Sequence, residues 1–319
     1  MFKKKGKLLL TLGLTLSLMS TSVLAKPGQG KYGDIAYDHI YELSEEIGAR
    51  VAGSSEEFEA MEYIKDAFED IGYKTEIQEF TINNRGNKSY NVIATKDGKS
   101  SKELIVGGHY DSVNTDGSKG ADDSASGIGV ILETAERLKN IKTPYTVKFV
   151  AFGAEEGGLK GSKHYVSEMD KKEIENTVAM INLDSLIAGD KMYVHGSLGD
   201  KGFVREQALN IAEKKKLNLE INPGLNSTYP EGTTGGWSDH GPFDNVGIPY
   251  AAFEATNWEI GDNDGYTQTE NFGSIWHTKN DNLEFFETNF PGRVEERLTT
   301  FSEVLTELIK FFGKTSTAK

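Results

Sequence analysis

Residues 104–111 read Leu-Ile-Val-Gly-Gly-His-Tyr-Asp, and residues 120–127 read Gly-Ala-Asp-Asp-Ser-Ala-Ser-Gly. The apolar run from Leu104 to Val106 is typical of a strand that is buried on both faces, as in a parallel sheet. From Ser124 to Leu138 the apolar residues recur at helical spacing. A buried strand that leads through a loop into a helix is the repeating unit of α/β proteins, so this stretch indicates the fold class.

The rest of the chain repeats this alternation. Strand-like segments cover residues 75–82, 90–94, 147–152, 178–183 and 248–253, and helical spacing marks residues 35–47, 160–168, 203–216 and 294–312. No linker is long enough to separate two domains. We therefore predict an α/β fold, a single domain with a mixed, mainly parallel sheet sandwiched between helices. Two long irregular stretches, 222–239 and 256–274, are loops of a length that usually has a function.

The first 25 residues have the pattern of a secretory signal peptide. Four lysines between Lys3 and Lys7 precede an apolar run from Leu8 to Met19, and Val23 and Ala25 suit cleavage after Ala25. An uncleaved anchor is the alternative, although the apolar run is short for a membrane span. We expect a signal peptide over residues 1–25, a mature domain over residues 26–319, and a secreted, extracellular protein.

Composition narrows the possible partners. The chain contains no cysteine, which excludes disulfides, a lipoprotein anchor and thiolate metal ligands. The formal net charge is −14, and loss of four signal lysines would make it about −18. Because such a surface repels nucleic acid and anionic lipid, we expect no nucleic-acid partner and no membrane contact after signal cleavage. We expect a monomer.

Metal-ligand-type side chains stand directly after three predicted strands and before one predicted helix: His109, Asp111, Asp123, Glu155, Glu156 and Asp184. The strands end at Val106, Phe152 and Leu183, and ligand sites in α/β sheets form beyond such carboxyl ends. Acidic side chains next to buried strands need partners, and a metal ion is a suitable one. The sequence therefore predicts a metal site at this edge of the sheet.

Five motifs then carry a resemblance: His109-Tyr110-Asp111, Gly120 to Gly127, Glu155-Glu156-Gly157, Asn182-Leu183-Asp184 and His277-Thr278. In this order they resemble the zinc-dependent secreted aminopeptidases of the aminopeptidase Y and bacterial leucyl aminopeptidase kind. The segment Ser238 to Phe243, with Gly247-Ile248-Pro249, is similar to their substrate pocket. The match runs from about Tyr90 to His277. It implies a zinc exopeptidase-like fold and a zinc aminopeptidase domain over residues 26–319.

The resemblance also implies roles. His109 and Asp184 would hold one zinc ion, Glu156 and His277 a second, and Asp123 would bridge the two ions, with a cis peptide after it. Asp111 would accept a hydrogen bond from His109 and fix its tautomer. Residues expected in the pocket or around the ligands are Asp239, His240 and Trp276.

Glu155 would be the general base. Two zinc ions polarise a scissile carbonyl and lower the pKa of a shared water, and a carboxylate beside them can take its proton and pass it to the leaving amine. An acidic pocket suits a cationic α-amine, so the expected partners are peptide substrates with a free amino terminus. This combination predicts metal-dependent hydrolysis of the amino-terminal peptide bond.

One departure from the family keeps alternatives open. Many of these enzymes have tyrosine before the last histidine, where this chain has Trp276, and Tyr229 or Tyr266 would have to take its place. Trp276-His277-Thr278 also looks like the single-zinc glutaminyl cyclases of the same fold. A binding domain of this fold without catalysis is the third alternative, because fold alone does not determine function.

Overall fold

The computed structural model describes residues 30–115 and 117–313. The predicted signal peptide lies outside the described residues, so it stays a prediction. Within the described part of the chain, no helix combines the length and the apolar character that a membrane crossing needs.

The strands are β1 (Lys74–Thr81), β2 (Lys88–Lys96), β3 (Ser100–His109), β4 (Tyr145–Phe152), β5 (Thr177–Leu183), β6 (Lys191–Gly196) and β7 (Tyr250–Thr256). They form one sheet in the order β1-β2-β4-β3-β5-β7-β6. The four central strands β4, β3, β5 and β7 are parallel. At the two sides, β1, β2 and β6 pair antiparallel. The predicted mixed sheet is thus confirmed, with its parallel part at the centre.

The α-helices of the described residues are α1 (Asp34–Tyr41), α2 (Ser55–Ile71), α3 (Gly127–Leu138), α4 (Lys160–Glu168), α5 (Lys171–Asn176), α6 (Phe203–Lys215), α7 (His240–Asn245), α8 (Leu283–Asn289) and α9 (Arg293–Phe311). Helices α1, α2, α3, α6 and α9 pack on one face of the sheet, and α4, α5 and α7 on the other. Helix α8 packs against α9. The predicted sandwich of a sheet between helices is confirmed.

Strand β3 shows why the central segments are apolar throughout. Leu104 and Val106 belong to the larger apolar cluster on the α3 side, and Ile105 belongs to the smaller cluster on the opposite side. All three side chains are buried. Full burial of such a side chain stabilises the fold by roughly 1.5–3 kcal/mol.

Some elements differ from the sequence-based expectation. Strand β3 ends at His109 and not at Val106, because Gly107 and Gly108 continue the pairing with β4. The apolar pattern does not predict β6, α5, α7 or α8. Each of these elements has only six or seven residues, which is too short for a periodic pattern to stand out.

Candidate metal centre

The carboxyl ends of β4, β3 and β5 lie side by side and bring the predicted ligands together. His109 pairs with Phe152 at the end of β4, and Gly107 pairs with Asn182 near the end of β5. His109 is therefore level with the loops that follow both neighbouring strands. Those loops contain the other acidic residues of the predicted site.

Two overlapping groups of side chains could each hold a metal ion: His109, Asp123 and Asp184 in one, and Asp123, Glu156 and His277 in the other. Asp123 belongs to both. Its Oδ1 lies 3.1 Å from Nε2 of His109, and its Oδ2 lies 3.1 Å from Nε2 of His277. The same nitrogens lie 3.3 Å from Oδ1 of Asp184 and 2.9 Å from Oε2 of Glu156. The structure thus brings all five predicted ligands together.

The separations of these donor atoms fit zinc. Ligands at about 2.0 Å from a tetrahedral zinc ion are about 3.3 Å apart, and the four distances above range from 2.9 to 3.3 Å. Imidazole and carboxylate are also suitable zinc ligands. The donor set therefore fits a zinc ion on each side of Asp123.

The field of the carboxylates favours a cation at this position. Hydrogen bonds with Asp123 and Glu156 raise the pKa of His277 to about 11, although burial acts against this. Burial raises the pKa of Glu156 to about 7. Burial acts in the same direction on Asp123, but hydrogen bonds from His109 and His277 outweigh it and lower the pKa of Asp123. The site stabilises positive charge between its carboxylates.

The segment around Asp123 is fixed by its neighbours. The Asp123–Ser124 peptide is cis, as the resemblance implies. The Asp281 carboxylate accepts hydrogen bonds from the backbone amides of Asp122 and Asp123, at 2.6 and 3.2 Å. Asp122 lies outside both ligand groups, and its Oδ1 accepts from two amides of the loop after β5, at 2.7 and 3.0 Å. These bonds hold Asp123 in place beside that loop.

Two glycines allow the close approach of these elements. A Cβ atom on Gly108 would lie 2.3 Å from the carbonyl oxygen of Leu183, and one on Gly127 would lie 2.4 Å from the same oxygen. Any side chain at either position would push β5 away from β3 or α3. The glycines of the quoted motifs thus set the distance between His109, Asp123 and Asp184.

Gln268 joins two ligand loops and is a residue that the sequence analysis missed. Its Nε2 donates to Oδ2 of Asp122 at 2.7 Å, next to the ligand Asp123. Its Oε1 accepts from the backbone amides of Ile275 and Trp276, at 2.8 and 2.9 Å, just before His277. Gln268 is fully buried. A lone glutamine in a long polar loop gives no sequence signal of such a role.

Asp111 supports the site in a different way from the one expected. Nδ1 of His109 lies 3.1 Å from the backbone carbonyl oxygen of Asp111 and 3.6 Å from its carboxylate. The carboxylate instead accepts hydrogen bonds from the amides of Glu155 and Glu156, at 2.9 and 3.2 Å. The backbone of Asp111 therefore orients His109, because the turn after β3 directs its side chain toward the loop after β4. The prediction that the carboxylate is the acceptor needs this correction.

Asp184 is oriented by hydroxyl groups. Ser238 donates to its Oδ2 at 2.7 Å, and Ser185 donates to its Oδ1 at 3.1 Å. The amide of Asn182 in turn donates to the Ser238 hydroxyl at 2.8 Å. The predicted pocket segment that begins at Ser238 thus reaches the metal centre through its first residue.

Glu155 lies beside the ligands but belongs to neither group. Burial raises its pKa well above the usual value for glutamate, and the carboxylates of Asp239 and Asp184 add to this, whereas His109 opposes it. Glu155 also lines the cavity that opens over the ligands, so its carboxylate is placed to exchange a proton with a molecule bound there.

Arg50 is a second residue missed by sequence reasoning. Its guanidinium is completely buried and donates to five backbone carbonyl groups, those of Leu43, Gly48, Tyr110, Lys119 and Gly120. These carbonyls belong to the residue that follows β3, the segment before Asp122 and the chain after α1. Arg50 therefore ties three segments together behind the site.

A cavity of about 500 Å³ opens over the ligands. Of the other residues predicted here, His240 and Trp276 line it, as do Tyr229 and Tyr266 from the long loops. Asp239 is fully buried and is not among the residues that line this cavity. Nε1 of Trp276 is buried and has no partner among the described residues.

Proteins of similar sequence include an aminopeptidase. The "alkaline phosphatase isozyme conversion protein" of Escherichia coli (strain K12) is 35% identical over 321 residues, which cover 90% of this chain and 92% of that protein. "Aminopeptidase YwaD" of Bacillus subtilis (strain 168) is 36% identical over 206 residues, which cover 61% of this chain but only 40% of that protein.

Solved structures share the fold. A zinc aminopeptidase from Bacillus subtilis, BSAP, superposes with a TM-score of 0.72 at 21% identity and covers 91% of this chain and 97% of its own. The glutaminyl cyclase of Fimbriiglobus ruber superposes with a TM-score of 0.65 at 20% identity and covers 90% of this chain and 98% of its own. These likenesses show the fold.

A match to a family model shows to which family this chain belongs. The family model "Peptidase family M28" matches residues 91–302, a range that contains all five predicted ligands and Glu155. The match agrees with the resemblance carried by the motifs. The chain therefore belongs to peptidase family M28 and is a hydrolase of peptide bonds.

Proposed function

We propose that this protein is an aminopeptidase that uses two zinc ions and the Glu155 carboxylate to hydrolyse the amino-terminal peptide bond. The observation that carries the proposal is the position of Asp123, whose two carboxylate oxygens each lie 3.1 Å from a different histidine. A carboxylate in this position can bridge two ions. His109 and Asp184 would complete one site, and Glu156 and His277 the other.

When bound, the two ions would polarise the scissile carbonyl and acidify a water molecule between them. Glu155 would accept the proton of that water and pass it to the leaving amine. The backbone amide of Glu155 donates a hydrogen bond to the Asp111 carboxylate, and this bond fixes the start of the loop that contains Glu155. Trp276 and Tyr266, whose rings lie 5.7 Å apart at the cavity, are the candidates for stabilising the oxyanion.

Substrate selection follows from charge. Besides the ligands, the cavity is lined by the carboxylates of Glu155, Glu254 and Asp264, which belong to neither ligand group, so an ammonium group is attracted into it. A free α-amine near the metal centre would limit cleavage to the first peptide bond. We therefore propose that the substrates are peptides with a free amino terminus. The signal pattern supports the proposal that the enzyme acts outside the cell. We propose that it is a monomer.

Metal analysis combined with substrate assays tests this function. We expect two zinc ions per chain in the zinc-loaded protein, with hydrolysis of aminoacyl-nitroanilides. One zinc ion with cyclisation of glutaminyl peptides would support a glutaminyl cyclase, the alternative suggested by Trp276-His277. A chain that binds no zinc and converts neither substrate would be a binding domain, and the proposal would be wrong.

A further inference from the structure

The cavity extends past the ligands to a second acidic wall. Two carboxylates that belong to neither ligand group, those of Glu254 and Asp264, line this part. Its other lining residues include the aromatic side chains of Tyr229 and Trp237. No lysine or arginine is among the described residues that line the cavity. These carboxylates thus have no cationic neighbour in the wall.

Glu254 lies next to the metal centre. In the sheet, Asn182 pairs with Ala252 and Leu183 with Phe253. The pairing continues, since the amide of Asp184 donates to the carbonyl of Phe253 at 3.1 Å. Glu254 therefore follows on the strand beside Asp184. Because Glu254 and the ligands line one cavity, a single bound molecule can contact both.

One oxygen of Glu254 is already occupied and the other is not. Nε1 of Trp258 donates to Oε1 at 2.6 Å, and Nε2 of His195 lies 2.8 Å from the same oxygen. None of the described residues donates a hydrogen bond to Oε2. The side chain is only 12% exposed and lines the cavity. A partly buried carboxylate oxygen of this kind favours a ligand that can donate to it.

His195 contacts the same oxygen of Glu254 as Trp258 does. His195 is fully buried, and its Nδ1 has no partner among the described residues. Its Nε2 contacts Oε1 of Glu254, so Oε2 remains the oxygen of this carboxylate that has no partner among the described residues.

A second acceptor lines the same cavity. Nε2 of His240 lies 2.8 Å from the carbonyl oxygen of Gly235 and donates to it, so Nδ1 is the acceptor nitrogen. Nδ1 is buried and has no partner among the described residues. Burial lowers the pKa of His240 to about 4, which agrees with a neutral ring. His240 thus offers a lone pair and no N–H to a bound molecule.

Aromatic rings complete the wall. The ring centroids of Tyr229 and Trp237 lie 5.2 Å apart. The centroid of Trp258 lies 5.5 Å from that of Tyr229 and 6.1 Å from that of Trp237. The faces of such rings attract lysine and arginine side chains. Aromatic rings also pack against the methylene groups of these side chains.

We propose that this wall is the pocket for the first side chain of the substrate and that it selects lysine or arginine. The inference rests on the proposed aminopeptidase function. Oxygen Oε2 of Glu254 and Nδ1 of His240 accept from the cationic group, while the aromatic rings contact its stem. The α-amine is a separate group, bound at the metal centre, and every aminoacyl substrate has it.

The test compares substrates of similar side-chain length with and without a cationic group. In zinc-loaded protein, kcat/KM is measured for lysyl- against norleucyl-nitroanilide and for arginyl- against citrullyl-nitroanilide. We expect each basic substrate to be favoured by about 10- to 100-fold, as for a charge-assisted hydrogen bond in a partly buried site. Ratios near one would overturn the inference.

The substitution Glu254→Gln tests whether Glu254 selects the basic side chain. Its amide oxygen can still accept from Trp258, so folding is retained, and norleucyl turnover that stays measurable verifies this. The lysyl preference should fall at least tenfold, and it should fall less in Asp264→Asn. Asp262→Asn is the matched control, because Asp262 is an exposed residue of the same loop and does not line the cavity.

The outcomes separate the two proposals. An unchanged lysyl preference in Glu254→Gln contradicts the pocket, even if norleucyl and leucyl substrates are hydrolysed well. An equal loss of preference in Asp262→Asn also contradicts it. If the zinc-loaded wild-type protein hydrolyses no aminoacyl-nitroanilide at all, the aminopeptidase function fails and the pocket fails with it.

Discussion

At the scale of single residues, the adjacent glutamates 155 and 156 differ in their surroundings. Glu156 contacts His277 at 2.9 Å and belongs to a ligand group. Glu155 contacts no histidine at that distance, and burial, with the charges of nearby carboxylates, raises its pKa. We therefore propose that Glu156 serves as a ligand and that Glu155 serves as the base.

Glu155→Gln should separate catalysis from metal binding. Glutamine has the same shape but cannot take a proton, so we expect kcat to fall by about 10²- to 10⁴-fold while zinc content stays unchanged. The measurement is kcat for an aminoacyl-nitroanilide alongside zinc analysis of the same sample.

The neighbouring change Glu156→Gln is the matched control. It should reduce zinc content, because it weakens one ligand group, and activity should fall together with the metal. Normal turnover in Glu155→Gln would rule out the assigned base. Loss of zinc from Glu155→Gln would mean that Glu155 is a ligand and not the base.

At the scale of elements, the site depends on loops that are held by buried hydrogen bonds and not by regular structure. Asp123 lies before α3, in the segment whose amides donate to Asp281, and His277 lies in the loop that precedes α8. These two loops meet through Gln268, which contacts both with three hydrogen bonds. The position of one ligand relative to the other is therefore set by a residue that contacts neither ligand side chain.

Gln268→Leu should weaken zinc binding without removing a ligand. The substitution leaves Oδ2 of Asp122 and the amides before His277 without their partner, and loss of such supporting bonds typically lowers metal affinity by about 10- to 100-fold. Zinc affinity is measured by competition with a chromogenic chelator.

Gln78→Leu is a suitable control for this change. Gln78 lies on β1 and accepts one hydrogen bond from Asn91, so its loss tests for general destabilisation. Equal zinc affinity in Gln268→Leu and the wild type would contradict the supporting role of Gln268. A similar loss in both variants would point to a general effect on folding.

At the scale of the whole molecule, the metal should contribute to stability. The chain has no cysteine, so no disulfide supports it, and the acidic residues of the site repel one another. A ligand that binds only the folded state at 1,000 times its dissociation constant stabilises by about 4 kcal/mol. We expect chelation to lower the melting temperature by about 10 °C.

Differential scanning fluorimetry with and without chelator measures this shift, and added zinc should reverse it. In His277→Ala, which lacks one ligand, the shift should be clearly smaller. An unchanged melting temperature after verified removal of zinc would show that the folded site does not depend on metal.

The sequence by itself determined the fold class and the set of ligand types. The apolar runs before His109, Glu155 and Asp184 predict buried parallel strands, because such strands need apolar residues on both faces. Parallel neighbours have their carboxyl ends at one edge, so the acidic residues after them had to converge. The local sequence pattern was therefore sufficient to predict the sheet and the edge at which the candidate ligands lie.

Only the tertiary structure decided the distances and the supporting contacts. Gln268, Arg50 and Glu254 have no local pattern, because their partners lie far along the chain and are brought near by packing. The acceptor for His109 is likewise the backbone of Asp111, which no side-chain motif can reveal. Spacing in sequence predicts which residues share an edge, whereas hydrogen bonds between distant loops determine where their atoms lie.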